Sequence, residues 1–562
     1  MNAPFPKTIG PGLRLAWLFL AATGIGGTSL PAANPGLVPD AGERLRIEQA
    51  IPARAPAKPA KPRKLLIFDL NVNYGGHPSS QHANYAFTLM GEKTGAFETR
   101  ITRDPGVFKP ESLREFDAVF FNNNVGNLFT NSTLRQSLVD FIYAGGGLMG
   151  VHGTAVAFTQ WPGAVEDWPE FGLMIGGRGA NHRDSTELVW TRLDEPEHPL
   201  TRVFGGQGFA YRDEFFRVHE PYSRQRVRVL FSIDTAKSDQ KGQARGNCYR
   251  EDDDYALAWI RNYGRGRAFY CTIAHNPYVF WDARMLEFYL GAIQFILGDL
   301  PAPATPSQKL TPGVRAQEKL GWRLGLAPAA PETLFEALER AAGLGLSHMA
   351  ASTAQNVSRE IPKKLGPGLS EEELRQIRFK LDATGVRLIS LRLSPPPDGE
   401  AAWRTALEFA RKLGVETLLA PAPVEFFERL DSLCHDCQVN VALTPPGPGA
   451  VASPETLCQT LQGRSRCLGV AAEVGVWLRA GIDPVAAISR LGGRLQILSL
   501  NDWQAKTPGS GEAPWGGGVA GLDAALKEIH RLGLKPQLVM RPPPETARSL
   551  QWFDNQCLQL AK

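Results

Sequence analysis

Three histidines in the first half of the chain, His152, His182 and His275, stand where folds commonly deliver reactive side chains. His152 follows the apolar run 148–151 and is flanked by Gly150, Gly153 and Thr154; His182 closes Gly-Gly-Arg-Gly-Ala-Asn-His; His275 ends the run 267–274. Asp213 and Glu214 add adjacent carboxylates in Tyr-Arg-Asp-Glu-Phe-Phe. Neutral imidazoles with a carboxylate make a ligand set for zinc or a similar divalent ion, and the same groups serve as acid and base beside a carbonyl. Any one of these histidines alone is an ordinary hydrogen-bonded residue. The coincidence of three at strand or loop ends is what points to a site, with His152, His182, Glu214 and His275 as catalytic candidates and the three histidines as metal ligands. His198, in His-Pro, and His219 read as structural.

For these side chains to meet, the elements ahead of them must share one sheet. Apolar runs at 65–70, 97–101, 118–122 and 148–152 alternate with helical patterns at 80–94 and 132–143. Short apolar strands alternating with helices predict a parallel sheet covered on both faces, with ligands beyond the strands' carboxyl ends. Strand-like segments at 187–193, 227–233 and 256–272 follow without helices between them. The expected first domain, 64–300, is therefore flavodoxin-like α/β with a β-rich extension.

Beyond 318 a strand-then-helix unit recurs eight times, with strands near 323–327, 347–351, 387–393, 417–420, 440–444, 469–473, 495–500 and 537–540. That count predicts a closed (β/α)8 TIM barrel over 319–562, its ligand face at the strand C-termini. Two Pro-rich stretches separate the parts. Residues 34–63, ending in Ala-Pro-Ala-Lys-Pro-Ala-Lys-Pro-Arg, read as a disordered tether, and 301–318 as a linker. Lys7 and Arg14 precede the apolar run 15–22 and a small-residue stretch to Ala33, the order of a secretory signal peptide over 1–33. Export to the periplasm or the cell exterior is the expectation, with no membrane span beyond that segment.

Composition narrows the partners. Lys and Arg total 61 against 57 Asp and Glu in 562 residues, and the basic side chains form no stripe able to track phosphates, so nucleic acid is not an expected partner. Seven cysteines, an odd number, describe no disulfide framework. Cys434 and Cys437 form a lone CxxC on a helix-like run, without the second pair a zinc ribbon needs.

The motifs, taken in order, resemble a known family. Gly145-Gly146-Gly147 leading to Val151-His152-Gly153, then Ile175-Gly176-Gly177, Glu197-His198-Pro199, Asp213-Glu214, and Ala258-Trp259 through Tyr263-Gly264-Arg265-Gly266-Arg267 to His275 look like the ThuA (trehalose-utilisation) family. That family is similar in fold to class I glutamine amidotransferases, which place a nucleophilic cysteine in the turn after this strand. Here His152 occupies that turn, so glutaminase chemistry is not expected. The family commonly has Gly before the last histidine, where this chain has Ala274. The resemblance implies carbohydrate metabolism, with a keto-disaccharide or glycoside as the small-molecule substrate.

The second block, through Leu388-Ile389-Ser390-Leu391 and Pro514-Trp515-Gly516-Gly517-Gly518, resembles the xylose-isomerase-like (sugar phosphate isomerase/epimerase) barrels. The resemblance implies a divalent ion held by Glu, Asp, His and Glu on later strands. The matching places are Thr444, Glu473, Ser499 and Met540, with Val476 where a histidine commonly follows, so only Glu473 keeps an anionic oxygen. A metal-degenerate barrel that assists recognition is expected, with Glu473, Asp502 and Trp503 in the barrel and Asp213 in the first domain as substrate-binding candidates. The competing expectation is a non-catalytic carbohydrate-binding or scaffolding protein.

Overall fold

The computed structural model describes residues 38–163, 165–238, 249–445, 453–507 and 509–562. The expected signal segment 1–33 and Cys248 lie outside the described residues. Among those described, no helix is long and apolar enough to cross a membrane.

The first domain is built on a nine-stranded sheet. Five parallel strands run in the spatial order Glu98–Thr102, Lys64–Phe68, Ala118–Asn122, Gly147–Val151 and Gly266–Cys271. Four further strands, Ala256–Tyr263, Arg228–Ile233, Glu187–Leu193 and Ala210–Asp213, continue it in antiparallel pairing. The central strands are buried along their whole length because helices cover both faces. Ser80–Thr94 and Ala283–Leu297 pack on one face through Phe87, Met90, Leu286 and Tyr289. Ser132–Tyr143 and Pro169–Ile175 cover the other through Leu138, Ile142, Phe171 and Ile175. All the parallel strands point their carboxyl ends at one edge of the sheet.

The tether expected over 34–63 is ordered where it is described. Ala41–Ala50 is a helix with a reciprocal Asp40–Glu43 capping box. Ile47 and Ile51 anchor it in the core of the first domain, and Tyr85 donates to Glu48 at 2.7 Å. Two buried isoleucines, Ile47 in the helix and Ile51 at its C-cap, outweigh the Pro-rich and Lys-rich composition of the rest. The chain that follows is strapped down by a reciprocal pair between Ala57 and the buried Gln294 amide and by Arg63 on Asp299. The linker expected over 301–318 is ordered too. Ala304 packs into the first domain's core, and the helix Pro312–Leu320 packs on the last helix, Thr546–Leu560.

The second domain is a closed barrel of eight parallel strands, the first, Arg323–Leu326, pairing with the last, Gln537–Met540. Its lumen is filled by a small apolar layer including Leu419, Ala442, Ala471, Ile497 and Val539. The strands' amino ends face the first domain. Arg387 donates to the Gly264 carbonyl at 3.0 Å, in the hairpin turn before Gly266–Cys271. Arg378 reaches Asp140 at 2.8 Å while lying over the Tyr143 ring. The buried Asp382 carboxylate is shared by Arg226, at 2.9 Å, and Arg261. Every one of these contacts uses the amino-end edge of the first domain's parallel strands, opposite the edge where His152 and His275 lie.

The Asp382 side chain is 2% exposed, so removing it strands two guanidinium groups at the domain interface. Asp382→Ala is expected to cost about 3–5 kcal/mol, read as a lower denaturant midpoint of the full-length protein.

Candidate functional site

At the carboxyl edge of the first sheet, one ligating atom each from His77, His152, Glu214 and His275 come within 4.8 Å of one another. His152 is the first residue after Gly147–Val151 and takes φ 39°, a left-handed conformation that a non-glycine residue adopts only under constraint. That turn is tied on each side. Tyr270 donates to the His152 carbonyl at 2.9 Å, the Gly153 N–H donates to the Asn123 side chain at 3.2 Å, and Thr154 donates to the Phe121 carbonyl at 2.7 Å. A Cβ on Gly153 would fall 2.5 Å from the His77 ring, so glycine is what lets the turn approach.

Asn123 joins the segments. Its carbonyl accepts from His77 Nδ1 at 3.1 Å, its amide oxygen accepts from Gly153, and its amide nitrogen donates to Ser79 Oγ and the Ala274 carbonyl, each at 3.1 Å. Asp213 fixes the last segment. It is fully buried and accepts from the backbone N–H of His275 and Asn276, at 3.1 and 3.0 Å, and from the Asn276 amide at 2.7 Å. Burial pushes its carboxyl up to about 8, opposed by these donors. Asp213 therefore orients His275, and its oxygens are already engaged.

The tautomers follow from the partners. His77 and His152 each place Nδ1 against a backbone carbonyl, of Asn123 and Thr272, at 3.1 and 3.0 Å. A carbonyl only accepts, so both rings carry hydrogen on Nδ1 and present the Nε2 lone pair to the cluster. This is the arrangement of metal-ligating histidines. His152 Nε2 is buried and has no hydrogen-bond partner, although Glu214 Oε1 stands 3.3 Å away. That separation matches the edge, about 3.3 Å, of a tetrahedron with bonds of about 2.0–2.1 Å. His275 Nε2 lies 3.7 Å from the same oxygen. Burial drives His77 and His152 well below the usual imidazole value and lowers His275, which keeps all three in the ligating form. Burial also raises the Glu214 carboxyl. Three neutral imidazoles and a carboxylate fit a divalent ion of the zinc type.

His182 takes a different place from the one expected of it. It lies at the rim, its side chain 33% exposed, with Nδ1 2.8 Å from the Arg183 carbonyl and 3.3 Å from Glu214 Oε2. His77 completes the four-residue group in its stead. His77 follows a polar loop and not a strand, so strand-end position does not reveal it; the sequence signal available is Gly75-Gly76-His77-Pro78, a turn shortly after the first strand. Two aromatic rings were likewise not legible. Tyr74 lies 5.0 Å from the His77 ring and 5.7 Å from Trp161, centroid to centroid, and both are partly exposed at the edge of the cluster. Cys271 is buried in the sheet, its thiol pushed up to about 12 by burial.

The barrel candidates lie apart from this cluster. Asp502 is buried and accepts from the N–H groups of Gly516, Gly518 and Ala520, at 3.1, 3.1 and 2.9 Å, so its carboxylate organises a loop. The Trp503 ring is covered by the Arg479 guanidinium at 3.8 Å. Glu473 accepts from Arg541 at 3.0 Å at the barrel mouth. Cys434 and Cys437 are free, buried thiols in the helix Phe427–Cys437.

Residues 64–296 match the ThuA family model, described as trehalose utilisation. No curated protein matches the chain. Among solved structures, an uncharacterised protein of Parabacteroides distasonis is 24% identical over 42% of this chain and 99% of its own, with a TM-score of 0.36. A ThuA-like protein of Bacteroides uniformis is 22% identical over 43% of this chain and 94% of its own, TM-score 0.35. A xylose isomerase domain protein of Planctomyces limnophilus is 16% identical over 42% of this chain and 97% of its own, TM-score 0.34.

Because burial holds the folded imidazoles below their unfolded value, the unfolded chain takes up protons first on acidification. Their contribution to stability is full above about pH 6.5 and is lost as pH falls below it. The metal-free protein is expected to lose denaturation free energy over that range. Replacing His152 by Gln should reduce the slope by up to about 1.4 kcal/mol per pH unit.

Proposed function

We propose that the first domain is a metal-dependent enzyme acting on a carbohydrate derivative, with a keto-disaccharide or related glycoside as the substrate class. The observation that carries this reading is the convergence of His152 Nε2, at 3.3 Å, and His275 Nε2, at 3.7 Å, on Glu214 Oε1, with His77 in the same four-residue group. The family description, trehalose utilisation, supports the carbohydrate class.

His77, His152, His275 and Glu214 would hold the ion. When bound, a zinc-type ion supplies Lewis-acid polarisation of a sugar carbonyl or hydroxyl. The protein's own groups do the rest. His182 is accessible at the rim beside Glu214 Oε2, placed to accept or return a substrate proton. Tyr74 and Trp161 offer ring faces at the pocket edge on which a sugar can lie. Burial, with Glu214 close by, raises the Tyr74 hydroxyl, so it stays a hydrogen-bond donor. The described contacts of the cluster all come from the first domain, and the barrel is docked on the opposite edge of the sheet. The barrel therefore serves recognition through its own mouth and not by completing this pocket. Export, from the order of charged, apolar and small residues over 1–33, belongs to the same proposal.

Elemental analysis of the purified protein tests this reading. About one equivalent of divalent metal is expected in the wild type, lost in His152→Ala and His275→Ala and retained in His182→Ala, which should instead lower turnover of a keto-disaccharide. A wild type with neither bound metal nor turnover would make the protein a non-catalytic binding module.

A further inference from the structure

The barrel mouth is a cavity independent of the histidine cluster. It encloses about 610 Å³ at the carboxyl ends of the strands, within the range of small-molecule sites. Its floor is small and apolar, formed by Ala350, Leu419, Ile497 and Val539. Side chains two residues apart on a strand share a face. Each strand therefore sets a polar group above the floor: Ser352 beyond Ala350, Ser499 beyond Ile497, Arg541 beyond Val539, and Arg392 beyond Ser390.

The charge of this lining is one-sided. Arg392, Arg541 and Lys364 line the cavity, and Glu332 is its acidic residue. Glu332 is committed to Arg340 at 2.6 Å, and Arg541 is held by Glu473 at 3.0 Å. Among the described residues the Arg392 side chain makes no hydrogen bond or ion pair; the Glu473 carboxylate, which is bonded to Arg541, and the Arg541 guanidinium both act on it from a longer distance. Beneath it, Ser390 is 0% exposed and its hydroxyl has no partner. A buried hydroxyl left unpaired costs about 1–3 kcal/mol. A planar guanidinium that no carboxylate bonds directly is matched by a bidentate oxyanion. One occupant satisfies both groups.

We propose that the barrel mouth binds a small hydroxylated molecule carrying an oxyanion, a sugar bearing a carboxylate or a phosphate, with Arg392 taking the anion and Ser390 a hydroxyl of its body. Where the related barrels hold a cation with carboxylates, this lining offers cationic and hydroxyl groups, and Glu473 serves to position Arg541. Asn356, also in the lining, borders the same space with an amide group suited to a sugar hydroxyl.

Calorimetric titration of the full-length protein with glucuronate, glucose 6-phosphate and neutral glucose tests this. At least one of the two anions is expected to bind about tenfold or more tightly than glucose, and the tighter of them identifies the oxyanion. Arg392→Gln should weaken that binding by about tenfold or more. Arg392→Lys, which keeps the charge without the fork, should fall between, and His152→Ala should bind as the wild type does. Because Arg392 is exposed and unpaired, its variants should melt with the wild type. The proposal is overturned if neither anion binds more tightly than glucose, or if Arg392→Gln binds the anion as well as the wild type.

Discussion

Two hydrogen-bond acceptors facing each other in a buried pocket need a cation between them. His152 Nε2 and Glu214 Oε1 stand 3.3 Å apart, and the Thr272 carbonyl fixes the hydrogen of that imidazole on its other nitrogen. His77 directs a second lone pair inward for the same reason, through Asn123. A proton could bridge one such contact, but four converging donors are what a tetrahedral metal ion requires. The remaining structure of the first domain can be read as the means of holding these acceptors together against their repulsion and desolvation.

That holding is done by backbone more than by side-chain packing. The left-handed residue at the end of the central strand turns an imidazole across the edge of the sheet, and Asn123, itself at φ 56°, clamps three chain segments around it. Asp213 contributes its fully buried carboxylate to the loop that carries His275. The barrel braces the far edge of the same sheet through Asp382, Arg378 and Arg387. The outcome is a two-domain molecule in which the histidine cluster and the barrel mouth lie on opposite sides of a charged interface.

The architecture was legible in the sequence because it depends on period and punctuation. The strands at 118–122, 417–420, 495–500 and 537–540 appear where apolar runs place them. His152, Glu214 and His275 were legible because each sits at a strand end or beside a second carboxylate. His77 was not, because its position depends on an Asn123 carbonyl contributed from 46 residues away. His182 looked equivalent to the others, yet its loop leaves it at the rim. Asp502 shows the opposite limit. An acidic residue in a glycine-rich region suggests a ligand, while the fold gives its oxygens to three backbone N–H groups. The helix Ala41–Ala50 was hidden by its Pro-rich neighbours, since two isoleucines suffice to dock it.

The central claim is that this pocket is a three-imidazole, one-carboxylate cation site. X-ray absorption spectroscopy of the zinc-loaded full-length protein addresses it directly. Four ligands are expected, three of them imidazole nitrogens at about 2.0–2.1 Å, and the signature should collapse in a His77→Ala variant while surviving in His182→Ala. A spectrum of oxygen ligands alone, or one that His77→Ala leaves unchanged, would contradict the account.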